Sequence, residues 1–240
     1  MKAIASEEVG ERIAQWYSCI ITRDFEEAEK LKEEVDLKIT NMTEDDKIVS
    51  YYQLVDFRYQ MLLQVHEGKN LTEPPGTNLE NLGDSYLRFM FYFVTGVYEF
   101  WQGRYKSAIR SFKVAEMLIE KVNDPLEKAE FYHRLGLSYY RINQYTFSMS
   151  YLEQALEYFE KQKIYTENVI MIKSIIAAIY TEVEQYSKAE LIYDELIELS
   201  KLYPTLFALL RRNFGLHRLA QNRLSEAEVL FSEAIDIPAF

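Results

Sequence analysis

The sequence predicts an all-α fold: an N-terminal three-helix bundle followed by a helical-hairpin solenoid of about four repeats. Three observations carry this. From about residue 88 onward, small and aromatic residues recur at matching places: Gly96, Ala108, Phe112 and Ala115; Gly136, Ser148 and Ala155; Ala177, Ala189 and Tyr193; Gly215, Ala227, Phe231 and Ala234. Ahead of them, three separate runs repeat apolar residues at helical spacing. The composition is also poor in the residues that break helices, with 8 Gly and 5 Pro in 240.

The first predicted helix covers 6–22, where Val9, Ile13, Trp16, Tyr17 and Ile20 fall on one stripe and Glu7 and Glu8 suit the positive helix start. The second covers 24–42, with Asp24 as N-cap, Glu27 three residues on, and Ala28, Leu31, Val35 and Met42 as its stripe. The third covers 43–66. Thr43 followed by Asp46 reads as a capping box, and Ile48, Tyr52, Val55, Tyr59 and Leu62 share one face. No single helix of this kind is stable alone, but three can bury a shared core.

Two prolines and two glycines between Gly68 and Gly76 break the pattern. They place a domain boundary there: bundle 1–67, linker 68–83, array 84–240. Within the array the first anchors are 40, 41 and 38 residues apart. A small residue, another twelve on and (in three copies) an aromatic sixteen on is the tetratricopeptide (TPR) signature, slightly stretched. The small residues let paired helices approach, and the aromatic fills the seam to the next pair. The register turns Met90, Phe93, Val94, Val97, Phe100 and Trp101 of the first copy to the concave face, an apolar surface suited to packing. The second copy offers Glu130, His133, Arg134, Leu137, Tyr140 and Arg141. The third offers Met171, Ser174, Ile175, Ala178, Thr181 and Glu182, and the fourth Leu209, Arg212, Asn213, Leu216, Leu219 and Ala220. Mixed charge, amide and apolar wall suit an extended peptide better than a metabolite. The closing residues Ile235-Asp-Ile-Pro-Ala-Phe240 supply no polar capping helix, which predicts a shortened array or an end covered by a second chain, as in a homodimer.

Composition excludes several functions. The net charge is −11, with lysines and arginines scattered among acids, so nucleic acid is not the expected partner. One cysteine, Cys19, leaves no intramolecular disulfide and suits a reducing cytoplasm. No apolar run reaches membrane-spanning length and no signal peptide is evident, so no membrane partner is expected. His66, His133 and His217 lie far apart with no ligand-like neighbour, so no metal is predicted. Nucleophile-elbow, P-loop and dinucleotide motifs are missing.

Several stretches, in order, match a known group: Gln15-Trp16-Tyr17; Ala28-Glu-Lys-Leu-Lys-Glu-Glu-Val35; Ser50-Tyr-Tyr-Gln-Leu-Val-Asp-Phe-Arg58; Gly96-Val-Tyr-Glu99; Glu127-Lys-Ala-Glu-Phe131; and Phe147-Ser-Met149. Through them the chain resembles the Rap family of bacterial response-regulator aspartate phosphatases and inhibitors, which join a three-helix bundle to a TPR array under control of secreted Phr-type quorum-sensing peptides. The resemblance spans essentially the whole chain, although family members continue through further repeats. It implies two partners, a bacterial response regulator and a short signalling peptide, and no cofactor of the chain's own, since the Mg²⁺ of phosphotransfer belongs to the regulator. Family phosphatases carry Met-Glu-Glu-Asp-Gln where this chain reads Met42-Thr-Glu-Asp-Asp46. The family's glutamine orients the attacking water. Asp46 in that place is acceptor-only when ionised and would face an anionic phosphoryl group, which predicts weak or absent phosphatase activity.

Each candidate residue has a plainer alternative. Asp46, with Glu44 and Asp45, is either a catalytic water-positioning group or the start of a helix. Asn213 matches a peptide-backbone clamp of the family, or is a solvated groove residue. Glu182 matches the acidic position that meets the peptide's basic side chain, or is a surface charge. Arg134, Arg141 and Arg212, with Tyr140 beside them, either hold a peptide or line a solvated face. Three functions follow: sequestration of a response regulator under peptide control, an active phosphatase, and a generic TPR scaffold between two proteins.

Overall fold

The computed structural model describes residues 3–76, 83–161 and 163–235. Residues 77–82 of the predicted linker and 236–240 of the predicted open end lie outside that set. Among the described residues eleven α-helices follow one another: α1 (Ser6–Thr22), α2 (Phe25–Ile39), α3 (Asp46–His66), α4 (Ser85–Trp101), α5 (Tyr105–Glu116), α6 (Pro125–Tyr140), α7 (Tyr145–Phe159), α8 (Thr166–Glu182), α9 (Tyr186–Ser200), α10 (Pro204–Ala220) and α11 (Leu224–Ile235). The first three form the bundle and the other eight carry the four TPR-like copies. By packing, the chain divides into two compact units, 1–142 and 143–240. Packing therefore does not divide the chain at the predicted linker 68–83: α1 to α6 share one unit.

Local chemistry sets the helix starts. Asp24 caps α2 by accepting from Glu27 N at 3.2 Å, as its place before the stripe predicts. The capping box expected at Thr43 is not formed. Asp45 is the cap of α3, its carboxylate accepting from Lys47 N at 3.0 Å and Ile48 N at 3.3 Å. Thr43 is drawn away because its backbone N–H donates to Ile4 O at 2.9 Å, in a short bridge that pairs Ile4 with Met42. Met42 thus leaves the α2 stripe, and Asp46 becomes the first residue inside α3.

α3 is buried on more than the one face its spacing suggests. Tyr51, Leu54, Val55, Phe57, Arg58, Tyr59 and Met61 are all buried, because helices pack on two sides of it. Trp16 of α1 meets Tyr59 edge-on at 5.6 Å between ring centroids. From the other side α4 brings Tyr86 to Tyr51 at 5.7 Å and Tyr98 to Phe57 at 6.2 Å. Below α4, Phe93, Phe112 and Phe131 are mutually in contact at centroid distances near 6 Å. A Cβ on Gly96 would stand 2.6 Å from the Phe112 ring, so only a hydrogen fits where α4 crosses α5. Burying a phenylalanine here contributes about 1.5–3 kcal/mol.

In the second unit, Ala177, Ala189, Tyr193, Leu196, Leu210 and Phe214 form the shared core of α8, α9 and α10. Gly215 meets Phe231 as Gly96 meets Phe112, with 2.6 Å to an added Cβ. The turn inside each copy is closed by one residue in the left-handed region: Gly103, Asn143, Glu184 and Asn222, with φ near +60° to +74°. That conformation ends a helix by letting the next N–H reach back to an orphan carbonyl. Among the described residues, no helix is long and apolar enough to cross a membrane.

Candidate functional site

Three places carry the sequence-predicted residues. The first is the start of α3. Glu44 and Asp46 are exposed, and Asp45 is half-buried with its carboxylate committed to the helix end. The N–H of Ile48 is the main cause holding the Asp45 carboxyl below its ordinary value, with Ser6 second. Asp46 points no donor outward: its backbone carbonyl accepts from Ser50 Oγ at 2.8 Å, and its side chain is a carboxylate. The three carboxylates of this turn, Glu44, Asp45 and Asp46, are acceptors only when ionised.

The second place is the first-helix face of unit 1, where the bundle covers what the repeat register assigns to a groove. Arg58 of α3, side chain 2% exposed, donates from Nη2 to Glu130 Oε1 of α6 at 3.2 Å. Arg134 donates to the same oxygen at 2.7 Å. His133 Nδ1 stands 3.7 Å from the other carboxylate oxygen, beyond hydrogen-bond reach. Burial alone would raise the Glu130 pKa, but Arg134, His133 and Arg58 outweigh it and hold the carboxyl well below the usual range. Burial lowers Arg58 to about 10, with Arg134 adding to the effect and Glu130 opposing it. One turn earlier, Glu127 takes the Tyr86 hydroxyl at 2.9 Å to each oxygen, and Tyr51 lies 3.4 Å from that hydroxyl. Burial pushes Glu127 up to about 7; the Tyr86 bond opposes this and Asp124 adds to it. Glu130 and His133 were expected to face a groove. Both are buried instead: Glu130 pairs with Arg58 of α3, and His133 lies beside it at 2% exposure.

Of the peptide candidates in this unit, Arg134 is therefore spent on Glu130. Arg141 is exposed and lies 5.3 Å over the Tyr105 ring, a cation–π contact, with half-buried Tyr140 beside it. The first-copy residues Met90, Phe93, Val94 and Val97 are almost wholly buried, as their apolar character predicts.

The third place is the first-helix face of unit 2. Glu182 and Arg212 are exposed and Asn213 is half-buried. Leu216 and Leu219 remain 48% and 46% exposed on α10. Between α8 and α10, Thr181 Oγ1 lies 2.8 Å from Nδ1 of the buried His217, while also donating to Ala177 O at 3.0 Å. The hydroxyl proton being used, Nδ1–H is the donor to Thr181, and Nε2 accepts from the Gln221 amide at 3.1 Å. This neutral imidazole fixes the spacing of the helices that carry Glu182 and Asn213. Burial lowers the His217 pKa, and Arg218 adds to the effect. Behind this face, between α10 and α11, a pocket of about 400 Å³ is lined by Arg211, Phe214, Arg218, Val229, Leu230 and Glu233.

Among the described residues, no group of three His, Cys, Asp or Glu side chains is placed to hold a metal ion. Sequence reasoning missed Arg58, Tyr86 and Glu127. The signal for Arg58 was its place between two aromatic residues, Phe57 and Tyr59.

Comparison with known proteins now decides between architectures of this type. Residues 3–64 match the family model for the N-terminal region of response regulator aspartate phosphatase H. Regulatory protein RapG of Bacillus subtilis (strain 168) is 30% identical over 237 residues, covering 98% of this chain and 65% of RapG. The crystal structure of a Rap protein complexed with competence and sporulation factor superimposes with a TM-score of 0.85 at 30% identity, over 97% of this chain and 66% of that one. The chain belongs to the Rap family. A further relative, a type II methyltransferase, M.CeqI, of Rhodococcus hoagii, is 42% identical over 239 residues, covering 98% of this chain but 46% of that protein. This Rap chain thus spans from under half to about two thirds of the length of the relatives it matches.

Proposed function

We propose that this Rap chain is a peptide-sensing regulator that inhibits a bacterial response regulator by holding it through α1–α3, rather than by removing its phosphate. The observation that carries the second half is the α3 start: Asp46 is exposed and acceptor-only, and Asp45 is committed as the cap. Dephosphorylation of an aspartyl phosphate needs a group that donates to phosphate oxygen and accepts from water at once, as an amide does. No amide stands in the stretch Met42–Lys47. The peptide half is supported by Asn213, Glu182, Arg212, Leu216 and Leu219, which combine a two-way hydrogen-bonding amide, charges of both signs and exposed apolar wall. Arg141 and Tyr140 are further candidates in their own unit. A Rap structure with a bound signalling factor supports the same reading. Such a chain needs no cofactor and acts in the cytoplasm, where its partner is phosphorylated with the partner's own Mg²⁺.

The test is turnover. Purified chain is mixed below one-to-one stoichiometry with a panel of phosphorylated response regulators, following phosphate loss and complex formation together. A stable complex with phosphate retained is expected. Catalytic loss of phosphate by the wild type would overturn the sequestration reading in favour of an active phosphatase. Asp46→Gln, which restores an amide at the same exposed position, is expected to gain turnover without losing the complex.

A further inference from the structure

We propose that the contact of α1–α3 with α4 and α6 inside unit 1 is a proton-coupled latch whose acidic member is Glu127: the bundle stays docked while Glu127 holds a proton and loosens when that proton leaves. The geometry sets two carboxyl groups of α6, three residues apart, in opposite circumstances. Glu130 receives two guanidinium groups, from Arg58 at 3.2 Å and Arg134 at 2.7 Å. Glu127 is 8% exposed, and among the described residues no Lys, Arg or His nitrogen forms an ion pair with it.

What faces Glu127 is aromatic and neutral. Tyr86 of α4 presents its hydroxyl at 2.9 Å from each carboxyl oxygen, and Tyr51 of α3 stands behind that hydroxyl at 3.4 Å. Tyr17 of α1 is buried within electrostatic range of Glu127, Glu130 and Arg58. At the start of its own helix the Asp124 cap is the charge that acts on it, while on α6 Lys128 follows it in sequence, Glu130 lies three residues on and Arg134 is paired with Glu130. A hydroxyl has one proton to give, so it satisfies one carboxyl oxygen. The second oxygen is satisfied when it carries a proton of its own. A buried carboxylate without a cation is costly and takes up a proton instead. Burial, consistently, lifts this group to about 7.

The sign follows from that direction. Glu127 is raised above its ordinary value of 4.5, so its contribution is fully present below 4.5 and is lost as pH rises through about 7. Undocking α3 from α4 and α6 hydrates the carboxyl and releases the proton. Docking therefore weakens about tenfold between pH 6 and 8. Glu130, held ionised throughout this window, keeps Arg58 compensated and adds no slope. The latch deepens the regulatory reading above, since it acts on the bundle that would hold the response regulator. Its test needs neither peptide nor regulator, so the two can fail separately.

Hydrogen exchange of the full chain, corrected for intrinsic rates, reads the opening constant of residues 51–61 at pH 6 and pH 8. We expect a rise of about tenfold for those amides and none for α9. Glu127→Gln keeps the shape and removes the proton, and its opening constant should be level across the range. The carboxyl carbon resonance of Glu127 in the wild type should titrate near 7. Titration near 4.5, a pH-independent opening of α3, or a Glu127→Gln chain that keeps the rise would each overturn the latch. If that variant does not fold, the wild-type carboxyl titration decides alone.

Discussion

The first-helix faces of the two units begin from the same repeat register and end in different environments. In unit 1 the face carries Glu130 and His133, each about 2% exposed, with Arg58 of α3 laid on Glu130. In unit 2 the corresponding face keeps Leu216 and Leu219 nearly half exposed, with Glu182 and Arg212 at the surface. A repeat pattern states which residues leave the hairpin core. It does not state what they meet next. Where a bundle is available to cover them, charged residues become a buried network. Where none is, apolar residues stay at the surface.

The largest way to break this contrast is Glu130→Ala. It strands the buried Arg58 guanidinium, and losing one partner of a buried pair costs about 3–5 kcal/mol. Urea unfolding monitored by tryptophan fluorescence, from Trp16 in α1 and Trp101 in α4, would show it. A cost below about 1 kcal/mol, the range of an exposed pair, would mean that unit 1's face is as open as unit 2's.

A finer comparison sets Gly96→Ala against Gly215→Ala. Both added methyl groups would meet an aromatic ring at 2.6 Å. Phe112 is fully buried between Phe93 and Phe131, whereas Phe231 is only partly buried and can swing aside. Overpacking in a closed core costs about 1–3 kcal/mol. We expect Gly96→Ala to reach that range and Gly215→Ala to fall short of it in thermal melts. Equal losses would show that the second unit is packed as tightly as the first.

The smallest effect belongs to Leu216→Ala and Leu219→Ala. Exposed positions shift stability by about 0.5 kcal/mol or less, so melts should hardly move. Capture of short peptides from a defined library should weaken. Unchanged capture would remove the α10 face from the peptide reading.

The fold was legible because its signals are local and periodic. The anchors Gly96, Ala108 and Phe112, and their later counterparts, announce close helix crossings whatever surrounds them, and Asp24 announces its own cap. The start of α3 was misplaced because Thr43, Asp45 and Asp46 are all competent near a helix end. The choice among them was made by Ile4, which lies 39 residues earlier and takes Thr43 into a bridge. The same distance problem hid the site. Arg58 and Glu130 are 72 residues apart, and no spacing rule links them. The peptide candidates were read position by position, and the Glu130–Arg134 pair one turn apart on α6 was read as groove-facing because the Arg58 that covers it lies in α3.

The left-handed turn residues carry a last consequence. Within every copy the two small anchors are twelve residues apart: 96 to 108, 136 to 148, 177 to 189 and 215 to 227. One residue closes each of those turns, and its backbone has no slack. The unequal repeat length arises after the second anchor, from the length of the second helix and of the stretch that follows it. Insertions and deletions in this protein should therefore be tolerated at 117–124, 160–165 and 201–203 and rejected at Gly103, Asn143, Glu184 and Asn222, so the array can be lengthened or trimmed only in whole hairpins, at joints already marked in the chain.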